Sequence, residues 1–273
     1  MRALVISTKG GCGKSTFCFE VLAPYLGERS QKKPTIYEFD NENKESLNYA
    51  KSDIFVTQNM PFESMGAISN KLNEISQTDN YIVDVGGSAH SSNFLKANAN
   101  FIKLWFDFVF IPLGQGAQDA VNAKSVFEQI KSGGFDASKI AFVCSSAMFT
   151  YDEENIDMFL AFFGSPYFPR SKGGYGFDGR IPKDSKPDNY LFVKFCPFLP
   201  WSKLQQRTAY EVGKDWGEYL KKLDDPNMTR EEKLAAQYNI RTLGPIMEWA
   251  EHDIRGQAFI ALDRITMGGG NGN

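Results

Sequence analysis

Eight consecutive residues carry the strongest chemical signal in the chain: Lys9-Gly10-Gly11-Cys12-Gly13-Lys14-Ser15-Thr16. Glycines let a backbone curl until successive N–H groups face inward. A helix starting within the loop adds the partial positive charge of its N-terminus, so the composition suits a polyphosphate. On that logic Lys14 bridges the β- and γ-phosphates, the Ser15 hydroxyl ligates Mg²⁺, and Thr16 reaches the α-phosphate. Solvated lysines on a glycine-rich turn are the bland alternative. Two carboxylates close β-rich runs further along. Asp84, near the end of YIVDV and separated from Gly86-Gly87 by one residue, matches a Walker B aspartate, which holds Mg²⁺ through water; a buried aspartate without metal duty is the alternative. Asp40 sits in EFDNEN, where capping of a following helix is the simpler role.

Lys9 separates this loop from the ordinary one, which needs only a glycine at its start. Here a second lysine precedes two glycines, giving the KGGxGKST or deviant Walker A form, and with it the chain resembles the ParA/MinD family of P-loop ATPases. The resemblance implies ATP and Mg²⁺ as ligands and a homodimer that sandwiches nucleotide. Lys9 would reach across that dimer to phosphates held by the other copy. It makes Lys9, Lys14 and Asp40 the catalytic set, residues 9–16 the nucleotide cradle, and Ser15 and Asp84 the metal ligands. Asp40 stands where the family's DxDPQ motif has its second acid, which positions the attacking water; Glu38 replaces the first, and Asn41 and Glu42 replace Pro and Gln. The implied function is an ATP-driven positioning or partition switch for plasmid DNA or another cargo. A partner protein that stimulates hydrolysis, non-specific DNA as a surface, and a cytoplasmic or nucleoid-associated location come with it. A nucleotide-binding adaptor with little hydrolysis and a metabolic deviant Walker A ATPase are the competing readings. For the adenine, relatives often place an Asn where this chain has Cys144, Ser145 and Ser146. The Phe198-Leu199-Pro200-Trp201 segment is either a base cover or, at Trp201, core packing. The motifs of the resemblance lie within residues 1–130.

The elements that must position these groups can be read from periodicity. Apolar or β-rich runs at 3–7, 34–40, 81–85, 108–113, 140–144 and 190–195 read as strands, with helical spacing at 15–26, around 66–75 and at 117–130. Strands alternating with helices predict an α/β fold, a mainly parallel sheet sandwiched by helices, as in P-loop NTPases of the SIMIBI or MinD-like class. Residues 203–223, 229–238 and 243–265 read as three C-terminal helices, the middle one started by Thr229 with Glu232 three residues on. A single ATPase domain over 1–267 is expected, with a loop insertion at 166–189 and a frayed tail at 268–273.

Composition sets the outer limits. The 273 residues are 42% hydrophobic and 23% charged, which excludes wholesale disorder. Thirty Lys+Arg against 33 Asp+Glu argue against a surface given over entirely to a polyanion. Six basic residues against three aspartates between 170 and 194 reverse that balance locally, with Tyr175, Phe177 and Tyr190 interleaved. A DNA-facing surface, a docking loop and a merely solvated loop are the three readings. Cys12, Cys18, Cys144 and Cys196 have no CxxC spacing, so reduced thiols are expected, and isolated His90 and His252 give no support to catalytic zinc. No run reaches about 18 apolar residues, and the N-terminus lacks a signal-peptide core. The 243–265 segment is not basic and reads as a packing helix rather than a membrane anchor.

Overall fold

The computed structural model describes residues 1–40, 44–61, 65–87, 89–163 and 189–267. Among them seven strands form one sheet: β1 (Arg2–Val5), β2 (Thr35–Phe39), β3 (Val56–Asn59), β4 (Tyr81–Val85), β5 (Phe108–Leu113), β6 (Ile140–Ala147) and β7 (Tyr190–Lys194), in the order β3-β2-β4-β1-β5-β6-β7. Every pairing is parallel. Parallel strands need helical crossovers, which cover both faces, and this is why the inner strands are mostly apolar rather than alternating, apart from Glu38 and Asp84 near their ends. Alternate side chains feed two layers. Val5, Ile82 and Phe110 join Phe17, Phe19, Trp249 and Leu262 on one face; Leu4, Val83 and Ile111 join Leu72, Phe94, Trp105 and Phe127 on the other.

β1 lies between β4 and β5, so the loop leaving it emerges where the chain's connections diverge to the two halves of the sheet. In open α/β folds that crevice, beyond the carboxyl ends of the strands, is where ligands sit. The helix after the loop begins with Lys14–Thr16, passes through a π-helical stretch at Phe17–Leu22 and ends as Ala23–Ser30.

Several elements depart from the sequence expectation. β3 is an added edge strand whose VTQN sequence is largely exposed and carries no apolar alternation. The expected helix at 203–223 is broken: Leu199–Leu204 stops, Gln206 takes φ 59°, and Ala209–Leu223 restarts on a capping box between Thr208 and Glu211. Conversely, the expected break near 239–242 is absent. Arg230–Glu248 runs through Pro245, continues as π-helix over Trp249–Ala258 and closes as Phe259–Met267. Phe259, Leu262 and Ile265 of that last segment are buried. No described helix is long and apolar enough to cross a membrane. Most of the basic 170–194 segment, the expected insertion and the tail lie outside the described residues. Lys194, at the end of β7, is spent on an ion pair with Asp253 at 2.6 Å.

Candidate functional site

The loop between β1 and its helix has the conformation that its glycines permit. Gly11 and Gly13 adopt φ 73° and 86°, values an L side chain rarely takes. Gly13 has a second constraint, since a Cβ there would lie 2.6 Å from the Ser145 hydroxyl on β6. The Lys14 side chain is buried at 7% exposure, and its Nζ donates to the Lys9 carbonyl at 3.3 Å. The Cys12 thiol donates to the same carbonyl at 3.3 Å. The turn is thus closed on itself, with an ammonium held inside it.

Around Lys14 the structure brings together what the sequence separates by up to 77 positions. A cavity of about 190 Å³ is bounded by Gly10, Gly11, Lys14 and Ser15 on the loop side and by Glu38, Asp40, Glu45, Asp84, Gly86 and Gly87 opposite. Larger hollows occur elsewhere, including one of about 410 Å³ beside Tyr190 and Phe192, but none of those described is lined by the loop. The strands explain the convergence. In register, Val5 of β1 pairs with Asp84 of β4, and Asp84 pairs in turn with Glu38 of β2, so three strand ends deliver the loop and both carboxylates to one edge. Asp40 follows β2 by one residue.

Burial pushes the Asp84 carboxyl up to about 7, against the attraction of Lys14 and a hydrogen bond with Ser15. Its Oδ1 is buried without a hydrogen-bond partner. An orphaned carboxylate oxygen and a hydroxyl are oxygen donors of the kind Mg²⁺ takes, and the adjacent ammonium would pair with the polyphosphate that shares the ion, so the residues fit that ion. Among the described residues no group of three or more His, Cys, Asp or Glu has metal-holding geometry, and a cation sharing its shell with phosphate oxygens needs none.

Glu45, Lys203 and Ser91, which the sequence did not single out, shape the cavity together with Glu38. Glu38 accepts N–H groups from Glu45 at 2.9 Å and Ser46 at 3.4 Å, tying the 3₁₀ turn Glu45–Tyr49 to β2, and its burial raises its pKa. Glu45 is paired with Lys203, which reaches in from Leu199–Leu204. Ser91 donates to the Gly86 carbonyl at 2.7 Å and fixes the turn after β4. A serine four residues beyond a strand-end Gly-Gly pair was the available signal for Ser91; Glu45 and Lys203, 158 residues apart, offered none.

The second lysine is placed differently from the first. Lys9 Nζ lies 2.6 Å from Asp119 Oδ2 in the first turn of the helix Ala117–Ser132, with the lysine 42% exposed and the carboxylate 6%. Of the adenine candidates, Ser145 packs under Gly13. Ser146 stands on a β-bulge at φ 63°, its carbonyl accepting from the Gln115 amide at 3.1 Å. Trp201 is half-buried against the core, which favours packing, whereas Phe198 remains exposed.

No family model matches the chain, and none of the curated proteins does. Similar solved structures include the MinC:MinD cell division protein complex of Aquifex aeolicus, at 14% identity over 90% of this chain and 95% of that one, with a TM-score of 0.49. The Pyrococcus furiosus cell division ATPase MinD is 12% identical over 92% and 98%, with a TM-score of 0.42. A ParA family ATPase from Chlorobium tepidum is 14% identical over 92% and 98%, with a TM-score of 0.41.

Proposed function

We propose that the chain is a Mg²⁺-dependent ATPase of the ParA/MinD kind. It pairs with a second copy around ATP and uses hydrolysis to switch between two states while positioning or segregating DNA or another cargo. One observation carries this reading: the Lys14 ammonium, the Ser15 hydroxyl, the partnerless Asp84 oxygen and the Asp40 carboxylate share one small cavity at the mouth of a glycine loop.

The chemistry follows from what each group can do. Loop N–H groups and Lys14 hold the triphosphate, Lys14 exchanging the Lys9 carbonyl for phosphate oxygens. Mg²⁺ held by Ser15 and Asp84 supplies charge neutralisation to the phosphates when bound. Asp40 accepts a hydrogen bond from a water and aims its oxygen at the γ-phosphorus. As the bond from that oxygen to phosphorus forms, the bond from phosphorus to the bridging oxygen breaks and the water's proton leaves by way of Asp40, giving ADP and inorganic phosphate. Lys9 of the second copy adds positive charge where the transferred group becomes more negative, an effect that exists only in the dimer. ATP-bound and ADP-bound states therefore differ in assembly, and a surface or partner that prefers one of them is bound and released with each cycle.

Phosphate release from ATP with Mg²⁺, measured with and without DNA and candidate partners, tests this reading beside the mass of the protein in each nucleotide. Turnover with an ATP-dependent dimer supports it, and both are lost in Lys14→Ala. Tight ATP binding without turnover under any condition would instead make the chain a nucleotide-binding adaptor.

A further inference from the structure

We infer that Asp119 is a positioning residue for Lys9, a carboxylate that holds the ammonium within its own protomer and must release it before the lysine can reach phosphates across a dimer. The inference rests on the dimer reading above and names the group that governs it.

The seat for Asp119 is built into the chain. It lies in the first turn of Ala117–Ser132, where a negative charge is favoured by the helix N-terminus. A Cβ on Gly116 would stand 2.7 Å from its Oδ2, and one on Gly114 would stand 3.5 Å from its carboxyl carbon. A side chain at Gly116 would crowd the folded-back acid, which is almost wholly buried there. A buried carboxylate needs a charged or hydrogen-bonding partner, and Lys9 supplies one at 2.6 Å.

The two ends of the pair differ in freedom. Asp119 is fixed by burial, whereas the Lys9 side chain is 42% exposed. The Lys9 backbone is nevertheless pinned, its N–H lying 3.4 Å from the Ser7 hydroxyl and its carbonyl accepting from both Cys12 and Lys14. What can move is the butyl-ammonium arm alone. When a triphosphate draws Lys14 off the Lys9 carbonyl, and a second triphosphate approaches from outside, the arm exchanges one carboxylate for phosphate oxygens without any change of main-chain fold. Asp119 thus sets a threshold: it lowers the tendency to pair until phosphate outcompetes it.

The test is Asp119→Asn, which keeps the shape and removes the charge, with Asp119→Ser read by the same criteria should the first be unstable. Lysine acylation followed by mass spectrometry on the nucleotide-free protein reports the hold directly, other lysines of the same sample serving as reference. Sedimentation with ATP and Mg²⁺ reports pairing. Labelling of Lys9 should rise severalfold in the variant. Its dimer should tighten about fivefold to tenfold, because two half-exposed ion pairs no longer have to be surrendered. Unchanged labelling in a variant that melts like the parent overturns the inference, as does a dimer that is no tighter. Should the parent protein stay monomeric in ATP, the dimer reading fails on its own account, and labelling alone then decides whether Asp119 holds Lys9.

Discussion

A Cβ on Gly86 would stand 2.9 Å from the Asp40 carboxyl and 3.0 Å from the Phe39 carbonyl, so the bare backbone after β4 is the wall against which Asp40 rests. The wall is itself held, with the Gly86 N–H donating to Phe39 at 2.8 Å and its carbonyl accepting from Ser91. Gly86→Ala must therefore displace Asp40 rather than move aside. Misplacing a catalytic group by about 1 Å costs on the order of 100-fold in rate, so single-turnover phosphate release should fall by roughly that factor while ATP still binds. Unaltered release would mean that Asp40 does not direct the water.

The two lysines and Asp40 should separate three steps. Lys14→Ala removes the ammonium enclosed by the loop and is expected to lose nucleotide binding, read by titration with a fluorescent ATP analogue. Lys9→Ala should still bind ATP in that assay but remain monomeric in sedimentation and fail to turn over. Asp40→Ala should bind, pair and then stall, accumulating the ATP-bound dimer; rapid turnover by this variant would falsify its role toward water.

How far the sequence anticipates this site depends on whether the interacting groups are neighbours in the chain. The loop at 9–16 is local, and its strand and helix flank it, so its conformation follows from glycines and periodicity. Asp84 is legible because it is the lone charge in an otherwise apolar strand. The Lys9–Asp119 pair is not legible, because 110 residues separate the partners and only the adjacency of β1 and β5 brings them together. β3 escaped because a polar edge strand has no buried face to impose alternation. The break before Ala209 was present in the sequence: Thr208 and Glu211 have the same spacing as Thr229 and Glu232, and both pairs form capping boxes. The continuity across 239–242 was not legible, because the helix runs on through Pro245, absorbs the missing N–H and relaxes into π geometry just beyond it.

The two capping boxes differ in burial, and that difference predicts unequal costs. Thr208 is fully buried, with its hydroxyl and N–H both bonded to Glu211, whereas the Thr229 box is exposed. Loss of an N-cap costs about 1 kcal/mol, up to about 2 where it is buried and its partners are left without water. Thr208→Ala should thus lower unfolding stability in urea by about twice as much as Thr229→Ala. Equal losses would show that the buried box is not what restarts the chain at Ala209.

Glu20 bears on the same junction from the other side of the core, its Oε2 accepting the Ala209 N–H at 2.8 Å while Oε1 is buried without a partner. Burial raises its pKa from 4.5 to about 7, with Glu211 adding to the rise and the Ala209 N–H, Tyr49 and Lys203 opposing it. Below pH 4.5 the group is protonated in both folded and unfolded chains and has no effect on stability. As pH rises towards 7 the unfolded chain gives up its proton first, so stability falls across that window, and above it the loss is complete at an upper limit of about 3 kcal/mol. Glu20→Gln removes the titration while its amide oxygen still accepts from Ala209. Its melting temperature should exceed the parent's by roughly 3–8 °C at pH 8 and by little at pH 4.5. A gain of the same size at both pH values would trace it to packing rather than to a carboxyl forced to ionise inside the fold.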